Sequence, residues 1–257
     1  MRIIWLALVL LVSYAIGIVV LFPAAPLVDK IRPQLGPVAL GNVSGKLYNG
    51  QIDTVRSTDD LLPLEFTNVG WTLAPQTLIK GGAGAKFEFE GYGGGGDGLA
   101  ARQWNGNIRI SDFRFTAQAK ELEPLLPVPI AQFNGLLEGN IAGITLVNEM
   151  LTEFEGQLLW KDANLEFPVP TALGDVDVQI RPNGDQSHEI VLDASGGDVT
   201  MQGTVTLNLA GDFSADVLLT PSSSASPAVI NGLRQMGRAD AQGRVRFARQ
   251  GNLNRLM

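Results

Sequence analysis

The residues able to do chemistry are few and scattered. The chain of 257 residues contains one histidine, His188, and no cysteine. Zinc sites built from Cys and His, and triads built on a histidine base, therefore lack parts. His188 follows Asn183-Gly184-Asp185-Gln186-Ser187, a run of turn formers, and is expected as an exposed turn residue. Two carboxylate pairs stand at i, i+2: Glu88/Glu90 and Asp175/Asp177. On a strand that spacing puts both acids on one face, opposite Phe87/Phe89 or Val176/Val178. A working acid/base pair needs environments that separate its two pKa values. A solvated sheet face offers none, so these pairs read as solubilising charge. A glycan hydrolase would need two carboxylates about 5–10 Å apart in a cleft, and no pair stands out for it. Gly91-Tyr92-Gly93-Gly94-Gly95-Gly96 matches the spacing of a dinucleotide fingerprint. That fingerprint works only where it opens a helix, and Asp97-Gly98 followed by Arg102-Gln103-Trp104 gives no helix. The run reads as a floppy hairpin loop. Asp59-Asp60 reads as turn use before Leu61-Leu62-Pro63. No catalytic residue, cofactor site or metal site is expected.

What would position such residues begins with Ile3 to Phe22, twenty residues without a charge. At about 1.5 Å per residue they cover about the 30 Å of bilayer hydrocarbon. In lipid the segment must bond within itself and is therefore helical. The apolar run exceeds a secretory signal's core, and proline crowds the residues after it. A retained transmembrane anchor over residues 1–22 is expected. Arg2 and the α-amino group before it nearly balance Lys30 and Arg32 after it, so charge alone leaves the orientation open. Pro23 to Pro37 (PAAPLVDKIRPQLGP) carries four prolines and reads as a stiff, extended spacer holding the following domain, residues 38–257, off the membrane.

Formal net charge is −7. An acidic body argues against nucleic acid, whose binding needs basic surface. The sign reverses at the end, where Arg234, Arg238, Arg244, Arg246, Arg249 and Arg255 face Asp240 alone. This tail could meet acidic partners or lipid phosphates. Alternatively, it is an edge strand charged to block unwanted pairing.

The body reads as strands, through period-2 alternation. Val199, Met201, Gly203, Val205, Leu207 and Leu209 alternate with polar residues, and Gly211-Asp212 turns them into Phe213, Ala215, Val217 and Leu219. Val176/Val178/Ile180, Phe87/Phe89 and Ile108/Ile110 repeat the pattern. Phe113/Phe115 continue Ile108/Ile110 with parity slipped at Ser111-Asp112, which predicts a bulge. Helices are short: Pro75 to Lys80, Ala119 to Leu126, and one opened by Ser226 as N-cap and Pro227 at N1, closing near Gly237. Pro221 to Pro227 reads as a polar loop. Thirty glycines and fourteen prolines punctuate roughly a dozen strands. The expected fold is all-β, a curled antiparallel sheet or a β-sandwich with few short helices. A weak echo between Gly45–Ile52 and Gly156–Leu165 could mark two similar halves.

Three sequence elements appear in order behind the anchor. They are Gly41-Asn42-Val43-Ser44-Gly45-Lys46-Leu47-Tyr48-Asn49-Gly50, then Trp71-Thr72-Leu73-Ala74-Pro75-Gln76-Thr77-Leu78, then Gly156-Gln157-Leu158-Leu159-Trp160-Lys161-Asp162-Ala163. Near the end stand Leu233, Gly237, Asp240, Gly243 and the Arg-Val-Arg-Phe run from Arg244 to Phe247. The ensemble resembles the type II secretion system protein N family over nearly the whole chain. Tyr48 stands where that family most often has tryptophan. The resemblance implies a cell inner-membrane protein with its main domain in the periplasm. It would be accessory to the machine that exports folded proteins across the outer membrane, with other subunits of that system as partners. It supplies no catalytic residue. Trp71 and Trp160 read as core aromatics. As a contact for partners, the edge strand at Arg244, Arg246 and Phe247 is the candidate, through β-augmentation. The other reading is an anchored periplasmic β-groove protein that binds or transfers lipid, with the Val199–Leu209 stripe facing lipid.

Overall fold

A computed structural model describes residues 20–58, 63–125, 132–147, 150–167, 169–184 and 187–252, with 5, 10, 11, 13, 14, 17 and 18. Most of the expected anchor, and the Asp59-Asp60 turn, lie outside the described residues. The described positions from 5 to 21 have helical backbone. Among the described residues no helix is long and apolar enough to cross a membrane.

Alternation in the sequence becomes fourteen strands: β1 (Val38–Leu40), β2 (Val43–Gly45), β3 (Asn49–Ser57), β4 (Glu65–Leu73), β5 (Gly82–Gly91), β6 (Gly94–Gln103), β7 (Ile108–Gln118), β8 (Gln132–Val147), β9 (Met150–Phe167), β10 (Thr171–Pro182), β11 (Ser187–Gly196), β12 (Val199–Asn208), β13 (Asp212–Pro221) and β14 (Val245–Asn252). They form one antiparallel sheet. From β3 to β14 each strand pairs with its successor, and β1 and β2 both flank β3. Of the two expected arrangements, the single antiparallel sheet is the one found, but it is uncurled; no second sheet packs on it among the described residues. The echo joins unlike places, because Gly45 ends β2 in a hairpin while Gly156 lies within β9. The chain is one meander.

Register sorts side chains by face, because strand side chains alternate. One row runs Leu137, Trp160, Val176, Ala194, Met201, Leu219, Val245, one apolar residue from each strand of β8 to β14. The adjacent row on the opposite face runs Glu138, Leu159, Asp177, Asp193, Gln202, Leu218, Arg246. The sheet thus has an apolar face and a mostly polar face. On the apolar face of the first half, Trp71 opposes Phe87 and Phe87 opposes Gly98. Phe113 and Phe115 continue that face at a ring separation of 5.4 Å. The expected parity slip is present: Asp112 has φ 51°, and the β6–β7 register shifts between Asp97 and Leu99.

The longest helix after the N-terminal segment among the described residues caps the last strands. The helix Pro227–Met236 begins where Ser226 Oγ accepts the Val229 N–H at 3.3 Å, with Pro227 in the first turn. Val229 and Leu233, one turn apart, lie on Val199, Val217, Leu219 and Val245. Burying each such side chain stabilises by about 1.5–3 kcal/mol. Gly237 ends the helix in extended backbone, φ −178°.

The expectation that Pro23 to Pro37 is extended is corrected. Ala25–Ile31 is α-helical and Arg32–Gln34 continues as a 3-10 turn. Pro26 and Pro33 each fall in a first turn, where a missing N–H costs nothing. The segment is also tied down rather than extended. The Ala24 N–H donates to Gly45 O at 3.1 Å, and Arg32 donates to Leu40 O and Gly41 O, both at 2.7 Å.

Candidate functional site

The glycine run is not a loop. Gly91 ends β5, Gly94 to Gly96 begin β6, and only Tyr92-Gly93 turn between them. Both turn residues have positive φ, 54° and 70°, as a tight hairpin turn matched to sheet twist demands. Tyr92 tolerates this strained region while its hydroxyl accepts the Glu65 N–H at 2.8 Å and its ring meets Phe66 edge-on. A Cβ on Gly94 would come within 2.2 Å of Thr116 O, and one on Gly139 within 2.0 Å of the Phe115 ring. The glycines make room for neighbouring backbone and for rings, not for phosphates.

His188 is a second correction. It lies on β11, only 6% exposed, and its Nε2 accepts the Phe154 N–H at 3.0 Å. The preceding turn ends at Ser187, whose N–H returns to Gly184 O at 2.8 Å; the turn reading ran one residue too far. The sequence signal was available in Ser187-His188-Glu189-Ile190, where His188 shares parity with Ile190 and Leu192.

The carboxylates are also less free than solubilising charge. Asp175 Oδ1 accepts the Asp162 N–H at 3.0 Å. Asp162, at φ 49°, is a bulge residue, so Asp175 braces a kink in β9. Asp177 Oδ2 accepts from Gln157 Nε2 at 2.7 Å, while its buried Oδ1 has no partner among the described residues. Asp193 stands directly opposite Asp177. Glu90 accepts from Asn68 at 2.7 Å. Among the described residues no three His, Asp or Glu side chains gather as a metal site requires.

The candidate edge residues fall on different surfaces. Phe247 is on the apolar face, against the cluster under the C-terminal helix. Arg246 is on the polar face, where its Nε donates to Asp216 Oδ1 at 2.7 Å and its Nη2 to Asp216 Oδ2. Those bonds hold the Asp216 carboxyl below the usual aspartate range. Arg244 precedes β14 in a turn closed by Asp240, which accepts the N–H groups of Gln242 and Arg244 and the Arg244 Nε at 2.8–2.9 Å. The Arg244 hydrogen bond is the largest cause holding Asp240 low. The structure therefore does not bring the three side chains together. What it leaves open is backbone. β14 pairs with β13 on one side, and Ala239 bridges Val245 on the other. From Phe247 to Gly251 no strand lies outside β14 among the described residues.

Sequence reading missed a cleft of about 630 Å³ at the other end of the sheet, lined by Val20, Tyr48, Leu73, Leu78, Ala85 and Ala100 among others. Small residues on adjacent strands form its floor. Alternating alanines in Ala83-Gly84-Ala85 carried the signal, but they are too small to mark a hydrophobic stripe.

The two tryptophan elements have the same local construction. Trp71 Nε1 donates to Leu47 O at 3.1 Å and its ring covers Gly50; Trp160 Nε1 donates to Asn134 O at 3.0 Å and its ring edge lies at Gly135. A part-buried indole N–H needs such an acceptor, so Trp160 ties β9 to β8 and Trp71 ties β4 to the turn between β2 and β3. Comparison with curated proteins and with solved structures gives no match. The sequence family described as Type II secretion system (T2SS), protein N matches residues 36–248, a span that contains both tryptophan elements, every strand but the second half of β14, and the helix with its cap. The chain belongs to the type II secretion system protein N family.

Proposed function

We propose that this chain is a non-enzymatic accessory subunit of the type II secretion system, held in the inner membrane by residues 3–22 with its β domain in the periplasm. There it docks other subunits through the outer edge of β14. Membership of a family of secretion-system components supports the system. The single observation carrying the docking mode is the open backbone of Phe247–Gly251 at the end of a one-directional meander. An unpaired strand offers N–H and C=O groups to a partner strand. Arg244 and Arg246, each held by an aspartate, then serve to shape this edge and keep it from pairing indiscriminately. The test is in vivo photo-crosslinking from positions 248 and 250, with mass spectrometry of the adducts. Adducts with secretion subunits support the reading; adducts confined to lipid or unrelated envelope proteins sink it.

The apolar face favours a second reading. Trp71, Phe87, Phe113 and the Leu137–Val245 row make one apolar surface, capped by the C-terminal helix only over the last strands. Such a surface suits lipid chains. Gently extracted protein that retains stoichiometric phospholipid would favour it; lipid-free protein would count against it.

A further inference from the structure

Antiparallel strands give the sheet two rims. The rim nearest Val20 holds the β4–β5 connection with its helical turn Gln76–Ile79, the β6–β7 turn, and the beginnings of β7 and β9. Ten large hydrophobic residues beyond position 31 are exposed among the described residues, and six gather on this rim between β4 and β9. Ile79 is 92% exposed, Trp104 67% and Met150 66%. Isolated apolar surface residues need no explanation, but a gathered set does. Trp104 and the helical turn are joined, since the Trp104 N–H donates to Gly81 O at 2.9 Å. Ile108, Leu146 and Leu151 extend the set across β7, β8 and β9.

Between β2 and the start of β7 the charged residues of this rim are all basic, opposite in sign to the molecule. Lys46, Lys80, Arg102 and Arg109 lie along it, exposed and without an ion pair among the described residues. The first described carboxylate on β9, Glu153, is bonded to Thr145. The whole chain is net −7. Finally, the rim is continuous with the N-terminal apolar segment. The Leu47 N–H donates to Phe22 O at 3.0 Å, Pro23 bridges Lys46, and Val20 lines the same cleft as Leu78.

We infer that this rim is a second membrane contact: Ile79, Trp104 and Met150 enter the headgroup boundary of an anionic bilayer while Lys80, Arg102 and Arg109 pair with lipid phosphates. Tryptophan suits that boundary because one end of it is apolar and the other wet. Cations near an anionic surface are attracted to it. The sheet then stands on the membrane by one rim instead of swinging on a tether. This inference rests on the inner-membrane reading of residues 3–22.

The chain has no cysteine, so one introduced cysteine takes one spin label. Ile79→Cys, Trp104→Cys and Met150→Cys, with Phe167→Cys for the opposite rim and Leu10→Cys for the anchor, are placed singly in the full chain. Each is reconstituted in phosphatidylethanolamine/phosphatidylglycerol vesicles. Oxygen and nickel-chelate accessibilities are then measured by power saturation. The expected result is a several-fold higher oxygen-to-nickel ratio at 79, 104 and 150 than at 167. It should fall towards that of 167 when Lys80, Arg102 and Arg109 are changed to Glu together. Labels at 79, 104 and 150 that read aqueous while 10 reads lipid overturn the rim contact and keep the anchor. Labels shielded from both reagents also overturn it, in favour of a protein contact or a second copy. Lipid contact at the rim with an aqueous label at 10 keeps the rim and removes the anchor.

Discussion

His188 on β11 accepts the backbone N–H of Phe154 on β9 at 3.0 Å, reaching past the end of β10. β10 stops at Pro182, which pairs with His188, while β9 runs on to Met150. The imidazole thus takes over where the intervening strand runs out. A half-buried N–H left without an acceptor costs about 1–3 kcal/mol. His188→Ala should therefore lower stability by about that much, seen as an earlier urea midpoint at unchanged slope. His188→Gln, with an amide oxygen near the position of Nε2, should recover part of the loss. Equal midpoints for wild type and His188→Ala would remove this role.

Two glycine substitutions should move stability in opposite directions. On β8, the Cβ of Gly139→Ala would meet the Phe115 ring at 2.0 Å, and crowding of a packed ring costs about 1–3 kcal/mol. Gly232→Ala lies within the helix Pro227–Met236, with nothing within 4 Å of the new methyl group. There alanine should add about 0.4–1 kcal/mol by restricting the unfolded chain. Thermal melts of the two variants beside wild type check both signs.

The same glycines show how far the fold was legible in the sequence. Strands read from alternation are present because an antiparallel sheet with one wet face enforces period 2 in its own sequence. The Ser111-Asp112 slip became the bulge at Asp112 for the same reason, and Ser226-Pro227 capped a helix because capping is local. What failed depended on distance. Composition alone makes Gly94 to Gly96 a loop, yet they are strand residues whose neighbours, Thr116 and Phe89, leave no room for a side chain. The run before His188 makes it look exposed because its partner is 34 residues away. Proline content makes Pro23 to Pro37 look extended, but proline also starts helices, and the acceptors of Arg32 lie on β1 and just beyond it. For the candidate edge, its position at the end of the chain was visible. Its aspartate partner Asp216 was not, since only register places residue 216 beside 246.

Asp177 faces Asp193 across β10 and β11, with one carboxylate oxygen of Asp177 buried and unpartnered among the described residues. Like charges directly opposite destabilise a sheet. Asp177→Asn removes one charge, keeps an oxygen for Gln157 and gives Asp193 a donor. It should raise stability by about 0.2–1 kcal/mol. Urea unfolding at two ionic strengths checks the cause, since relief of repulsion should shrink as salt screens it.

The Arg246–Asp216 pair predicts an acid limb. The hydrogen bond from Arg246 holds the Asp216 carboxyl low, and Coulomb attraction adds to it. A carboxyl depressed on folding contributes stability that is fully present above its unfolded value, about 3.9. That contribution is lost as pH falls through the lower folded value. The pair is exposed, so the effect is small and salt-sensitive. Titrating the side-chain carboxyl carbon by NMR should find Asp216 ionised below the ordinary aspartate range, and Arg246→Gln should return it to that range. Asp240 should stay low in the same variant, because its own partners are Arg244 and the backbone N–H groups of Gln242 and Arg244. A normal Asp216 midpoint in the wild-type chain would show the pair open in solution, and β14 would then present a free guanidinium on its polar face.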